Sequence, residues 1–365
     1  MRIGILTFYE SDNYGTVLQA YGLQNYLKKV GYSTELINLA RDTNTQSSYF
    51  HYKNVRKYSN LQRLWNKFIL FRHRSDSDMK KKNFKMFREQ YLKISAKYYA
   101  SGKEILKDLD RYDFFISGGD QIWNPYHKIF SFDYMCRFLP GNFRRISYGS
   151  SFGVDTIYED KYIQQMKECL SAYSSILVRE NSGVNIIRQM GLNASQVVDP
   201  VFLDMNSWYE FVEEQSPEKS KYGLIYALVD YPTSDDELIR QFAAKEKMKL
   251  VILPENRRNC LNFYKKLFSL SPQSFINYVA HSEVVFTNSF HGLAFAVIFR
   301  KKVVLLNTCT KEAEKKQVRL NDLLNFYEAK NYNLDCICKE FYFNYKKLEE
   351  SVASSQNLLK RGLYE

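Results

Sequence analysis

Four places in this 365-residue chain put polar or glycine residues directly after an apolar run. Open α/β sheets bind ligands at such places, at the carboxyl ends of their strands. In Ser117-Gly118-Gly119-Asp120-Gln121-Ile122-Trp123-Asn124, two glycines permit a tight turn and a close approach of backbone N–H groups to a ligand. Asp120 adds a carboxylate there, although an ordinary Gly-rich turn with a capping Asp would read the same way. Arg179-Glu180 follows Ile176-Leu177-Val178. An arginine leaving a buried strand either pairs with a carboxylate, here Glu180 or Asp199, or faces an anionic ligand. Asp199-Pro200 is the third place, and its plainer reading is a turn. In the fourth, Thr287-Asn288-Ser289-Phe290-His291-Gly292, a strand passes into an apolar helix. Free N–H groups and the dipole at that helix start suit an anion such as phosphate. His291 there exchanges a proton near neutral pH, the alternative being a structural histidine.

Other chemistries lose ground. The chain has no Gly-x-Gly-x-x-Gly, Walker phosphate loop, His-Glu-x-x-His or Gly-x-Ser-x-Gly. The six cysteines are scattered, and only Cys336 and Cys338 are close, at a spacing that fits no zinc pattern. The expectation is reduced cytosolic thiols and no metal.

The four places need a scaffold that brings strand ends together. Residues 2–8 read as a buried strand; Val17, Leu18, Tyr21, Leu23 and Leu27 form a helical stripe; residues 33–39 are a second strand. That β-loop-α-β unit seeds a doubly wound sheet. The alternation continues to about residue 212, pauses in the polar run 213–221, which reads as a linker, and restarts from 222 to 340. A helix in 341–365 closes the series. The expected fold is therefore α/β, with two Rossmann-like domains facing a central cleft. The closing helix packs back on the N-terminal domain.

Charge is unevenly spread. The formal excess is +12, from 52 Lys+Arg against 40 Asp+Glu, and residues 53–103 hold 15 of the basic residues against three acids. Within that segment Leu61, Leu64, Trp65, Phe68 and Phe71 recur at helical spacing. A basic amphipathic insertion in the N-terminal domain, meeting an anionic membrane or polyanion, is one reading; a core-facing helix with a solvated outer face is the other. No nucleic-acid-binding signature accompanies the charge. No apolar run is long enough to span a bilayer, and the N-terminus lacks a cleavable signal, so a cytoplasmic place is expected, at the inner face of the membrane if the basic segment binds it.

Taken in order, these motifs resemble the polysaccharide pyruvyl transferase family. The resemblance is carried by Ile3–Phe8 with Asp12-Asn13-Tyr14-Gly15-Thr16-Val17-Leu18-Gln19, by Gly119–Asn124, and by Ile146-Ser147-Tyr148-Gly149-Ser150-Ser151-Phe152-Gly153. Val178-Arg179-Glu180, Val198-Asp199-Pro200 and Ser289-Phe290-His291-Gly292 complete it. It implies a glycosyltransferase-B-like fold and transfer of enolpyruvate from phosphoenolpyruvate, a co-substrate with no further cofactor, to a sugar of a surface polysaccharide or its lipid-linked precursor. It further implies His291 and Asp120 as catalytic residues. Arg179, Ser289, Gly292, Gly118 and Gly119 would hold the donor. Asn13, Tyr14, Gln121, Trp123 and Asn124 would meet the acceptor on the N-terminal side. Some members have an arginine where this chain has Ser289, and Arg319 is the candidate replacement. Two other readings stand beside this one: a nucleotide-sugar glycosyltransferase on the same architecture, and a non-catalytic membrane-surface or polyanion-binding protein built around 53–103.

Overall fold

A computed structural model describes residues 1–40, 74–255, 264–309, 320–321 and 323–364. The apolar stripe at residues 61–71 and Arg319 lie outside the described residues. The chain divides into two compact units, the first made of 1–46, 89–207 and 344–365, the second of 47–88 and 208–343.

In the first unit, β1 (Arg2–Leu6), β2 (Ser33–Leu39), β3 (Ile94–Tyr99), β4 (Phe114–Gly118) and β5 (Arg145–Tyr148) form one parallel sheet in the order β3-β2-β1-β4-β5. The inner strands β1 and β4 are near-continuous apolar runs because helices cover both faces of a parallel sheet. Helix α1 (Tyr14–Lys29) starts at Asn13, whose side chain accepts the Thr16 N–H, and carries Lys28 and Lys29 at its dipole-favoured end. Leu6, Phe8, Phe115, Ile122, Trp123 and Phe152 belong to the core of this unit. A two-stranded ladder, β6 (Leu177–Val178) with β7 (Ser195–Gln196), continues beyond β5 through bridges from Ile146 to Ser175 and from Ser150 to Val178.

In the second unit, β8 (Tyr222–Ala227), β9 (Lys249–Pro254), β10 (Lys265–Lys266), β11 (Val284–Thr287) and β12 (Lys302–Leu305) repeat the arrangement as β10-β9-β8-β11-β12. Its core gathers Ile225, Phe242, Ile252, Phe286 and Val304. The expected pair of Rossmann-like α/β domains is what the chain forms. In both sheets the strand order reverses at the first strand, which makes β1/β4 and β8/β11 the topological switch points where such sheets bind ligands.

The closing helix does return to the first unit. On α8 (Tyr345–Tyr364), Ser355 Oγ accepts the Val198 N–H (3.0 Å) and Gln356 donates to the Leu203 carbonyl (2.8 Å), while Arg144 donates to the Leu363 carbonyl (2.9 Å).

Three expectations about organisation differ from what is seen. The basic segment is not helical throughout: Ile94–Tyr99 is the strand β3, at the edge of the first sheet. Its helix α2 (Arg74–Tyr91) goes with the second unit over residues 74–88, because Asn83 donates to the Ser269 carbonyl (2.6 Å) and Phe87 packs on Phe211. The polar run 213–221 is not a loose linker. Its Glu218 is buried, bonded by Lys265 (2.5 Å) and the Tyr278 hydroxyl (3.0 Å), and the division between units falls earlier, after Ser207.

Candidate active site

At the first switch point the turn after β4 is left-handed at both Gly119 (φ +69°) and Asp120 (φ +47°). A side chain at 119 would collide with Gln19 Oε1, 1.6 Å from an added Cβ, and one at 118 with Leu23 at 2.6 Å. The two glycines are thus required by packing against α1, which draws the turn onto that helix. The Thr16 hydroxyl donates to Asp120 Oδ2 (2.7 Å), and Asp120 Oδ1 accepts the Gln121 N–H (2.8 Å). These two bonds fix the orientation of the carboxylate at the turn.

Arg179 leaves β6 beside Asp120 and is nearly buried. It donates to Asp199 Oδ2 (2.9 Å) and lies 3.4 Å from Glu180 Oε2. Burial alone would lower its pKa; the charges of Glu180 and Asp199, with a further pull from Asp120, outweigh that and hold it above the ordinary arginine value. Both carboxylate partners weighed from the sequence are present together. Glu180 accepts from the Ser151 hydroxyl (2.6 Å), Phe152 N–H (3.1 Å) and Gly153 N–H (3.3 Å). Asp199 accepts the Val201 N–H and starts a single turn of 3₁₀ helix at Pro200. One guanidinium among three carboxylates leaves this edge negative.

The expected acceptor residues separate into two sets. Asn13 caps α1, and Gln121 accepts from Asn124 (3.1 Å); Asn13 and Gln121 are partly exposed at the turn, and Asn124 is buried beneath it. Tyr14 and Trp123 are in the core instead, 1% and 0% exposed. Trp123 packs edge-on against Phe152 and Tyr173 and has no surface to offer a sugar.

The second switch point has a different chemistry. Helix α7 (Phe290–Ile298) begins at Ser289, whose hydroxyl accepts the Gly292 N–H (3.3 Å). Thr287 Oγ1 accepts the Ser289 N–H (3.0 Å) and donates to the Tyr226 carbonyl (2.6 Å). Asn288 ties the exit of β11 to that of β8, accepting from Leu228 N–H (2.9 Å) and donating to the Val229 carbonyl (2.9 Å). Gly292 serves packing, since a Cβ there would meet Thr287 Oγ1 at 2.4 Å and the Tyr226 ring at 2.8 Å. His291 sits in the first turn, half-buried, its ring edge-on to Phe290 at 5.2 Å. A helix start carrying a histidine and no carboxylate within its first turn is suited to an anion.

Thr16, Asn288 and Tyr226 were not singled out from the sequence. Thr16 and Asn288 had a signal, because both stand in quoted motifs; Tyr226 is fixed by pairing across strands. Among the described residues, no cluster of three His, Cys, Asp or Glu side chains is placed to hold a metal ion, and no helix is long and apolar enough to cross a membrane.

Two Rossmann-like units with polar switch points, one carrying carboxylates and one a histidine at a helix start, give the chain a fold of the glycosyltransferase-B kind. The sequence profile of the polysaccharide pyruvyl transferase family matches residues 13–310, and the chain belongs to that family. Solved structures similar over nearly the whole chain are a UDP-N-acetylglucosamine 2-epimerase (13% identity, 100% of this chain and 96% of that one, TM-score 0.54) and its Neisseria meningitidis counterpart bound to UDP-GlcNAc (11%, 99% and 100%, 0.52). An alpha-glucosyltransferase in complex with UDP and DNA is also similar (8%, 99% and 99%, 0.51). At such identities the likeness is one of fold. No curated protein matches the sequence.

Proposed function

We propose that this enzyme transfers the enolpyruvyl group of phosphoenolpyruvate to a sugar of a surface polysaccharide or its lipid-linked precursor, forming a pyruvate ketal and releasing phosphate. The observation that carries the reading is the contrast between the two switch points. The anionic donor is matched by the start of α7, with Ser289, Gly292 and His291, and a sugar hydroxyl to be deprotonated is matched by Asp120. His291 gives its proton to the methylene carbon of the enol, leaving an oxocarbenium-like centre at the adjacent carbon. A sugar hydroxyl attacks that centre as its proton passes to Asp120. A second hydroxyl of the same sugar then displaces phosphate, its proton leaving with the departing phosphate, and the ketal ring closes.

Arg179 enters this scheme differently from the sequence expectation of a donor grip. Its guanidinium is committed to Asp199 and Glu180, and a trianion would be repelled by three carboxylates. We assign it to holding those carboxylates beside Asp120. Contact of the basic segment with an anionic membrane, which would place the enzyme near a lipid-linked acceptor, belongs to the same proposal.

The test is acceptor-dependent phosphate release from phosphoenolpyruvate, run against a panel of lipid-linked oligosaccharides, with thermal protection measured in parallel. Protection by phosphoenolpyruvate and release of phosphate are expected. Protection by a UDP-sugar alone, with no release under any acceptor, would replace this reading by the glycosyltransferase one.

A further inference from the structure

We propose that Lys80, carried by the basic helix α2, is a positioning residue for the half-site that holds His291, acting through Glu255, Tyr226 and Ser289. Only the kinetic arm of its test rests on the pyruvyl-transfer reading.

Lys80, Phe84 and Phe87 stand at i, i+4 and i+7 and share one face of α2, and all three are buried. A buried lysine heading an aromatic stripe loses several kcal/mol of hydration and is tolerated only when its charge is met. Here the ammonium lies 2.5 Å from Glu255 Oε1, with the lysine side chain 3% exposed. An apolar pair of similar volume would hold α2 in place at no greater cost, so anchoring alone does not account for the choice of residues. What the pair adds is a carboxylate fixed at one position.

That position is the carboxyl edge of the second sheet. Glu255 follows β9 directly, and the last residue of β9, Pro254, is in register with Ala227 of β8. The Tyr226 hydroxyl, one residue earlier, is wholly buried. Burial first, then the negative charge of Glu255, push its pKa well above the ordinary phenol value, while a hydrogen bond with Ser289 acts the other way. Tyr226 is thus in the field of Glu255, and its ring lies against the first turn of α7 at Gly292. Ser289 in turn caps α7 through the Gly292 N–H, and the Tyr226 ring packs where Gly292 has no side chain. Ser289 and Gly292 flank Phe290 and His291. A displacement of Lys80 therefore passes through Glu255 and the Tyr226 ring packed at Gly292 into the first turn of α7, the turn that aims the imidazole.

The experiment compares wild type with Lys80→Met, Tyr226→Phe, the double variant Lys80→Met/Glu255→Gln, and Lys81→Met as a control from the exposed side of the same helix. The double variant leaves no unpaired buried charge, so it reports even if Lys80→Met fails to fold. The first readout needs no substrate: ring resonances of isotope-labelled histidine, with His291→Asn providing the assignment. The His291 signals are expected to move in Tyr226→Phe and in the Lys80 variants, and to stay in Lys81→Met. The second readout is kcat/KM for phosphoenolpyruvate, expected to fall about tenfold or more in the folded Lys80 variants, the scale at which misplaced catalytic groups lose rate. Unmoved His291 signals in a folded Lys80 variant would overturn the proposal, leaving the ion pair a purely structural tie. If wild type shows no turnover of phosphoenolpyruvate but the His291 signals still move, the pyruvyl-transfer reading falls and the positioning role stands.

Discussion

The two sheets have one topology and opposite edges. Both run in the order third, second, first, fourth and fifth strand, and both present their polar residues where that order reverses. In the first unit the edge gathers Asp120, Glu180 and Asp199 around a single guanidinium. In the second it offers a hydroxyl-capped helix start, an amide bridge by Asn288 and one imidazole, and its carboxylate Glu255 is paired with Lys80. The contrast shows how little the fold itself decides. Strand order says where a ligand goes; the charge set down there says which ligand.

The comparison can be broken at either edge. The largest expected effect is at the second. His291→Asn keeps size and one hydrogen-bond donor but delivers no proton, so kcat should fall about 10²-fold or more while phosphoenolpyruvate binds within several-fold of wild type. Lost donor binding with turnover intact would make His291 a phosphate ligand. At the first edge, Asp120→Asn should also lower kcat about 10²-fold, and single-turnover kinetics should place the loss after donor binding. Arg179→Ala should act mainly on folding, by about 3–5 kcal/mol in urea unfolding, because it strands the buried Asp199 carboxylate and the partly buried Glu180. A folded Arg179→Ala protein that merely loses donor affinity would restore the arginine to the donor side and erase the contrast. Thr16→Val removes one hydrogen bond to Asp120, a loss of about 1 kcal/mol, so kcat should drop several-fold and Thr16→Ser should recover it. The smallest effect concerns the basic segment: weak, salt-sensitive co-sedimentation with anionic vesicles, at about 1 kcal/mol per basic residue near the surface. No binding at low salt would leave the excess charge a solvated face.

How legible these features were in the sequence depended on whether their causes are local. Gly118, Gly119, Asp120 and Ser289–Gly292 announce strand exits and a helix start through turn chemistry, and the motif order gave the fold. Trp123 shows the limit, since an aromatic residue beside a polar turn reads the same whether it meets a sugar or, as here, fills the core against Phe152. β3 was hidden because its charge and exposed Tyr98 continue the basic run. Lys80 looked like one of three successive lysines, and only a partner 175 positions away sets it apart. Glu218 was likewise masked by polar neighbours that are solvated where it is not.

The division of the chain also bears on how the protein is made. Residues 74–88 are synthesised long before the unit they belong to, and the first unit waits for α8, more than a hundred residues after Ser207. A ribosome adds roughly 5–20 residues per second, so the growing chain spends several seconds with the β5 side of its first sheet lacking the helix that supplies Ser355 and Gln356. During that interval Ile146 and Val198 have no cover from α8, and Lys80 and Asn83 of α2 wait for Glu255 and Ser269. Nascent chains stalled short of residue 344 should therefore be protease-sensitive in both halves and bound by chaperones, and each half should become resistant only late in synthesis.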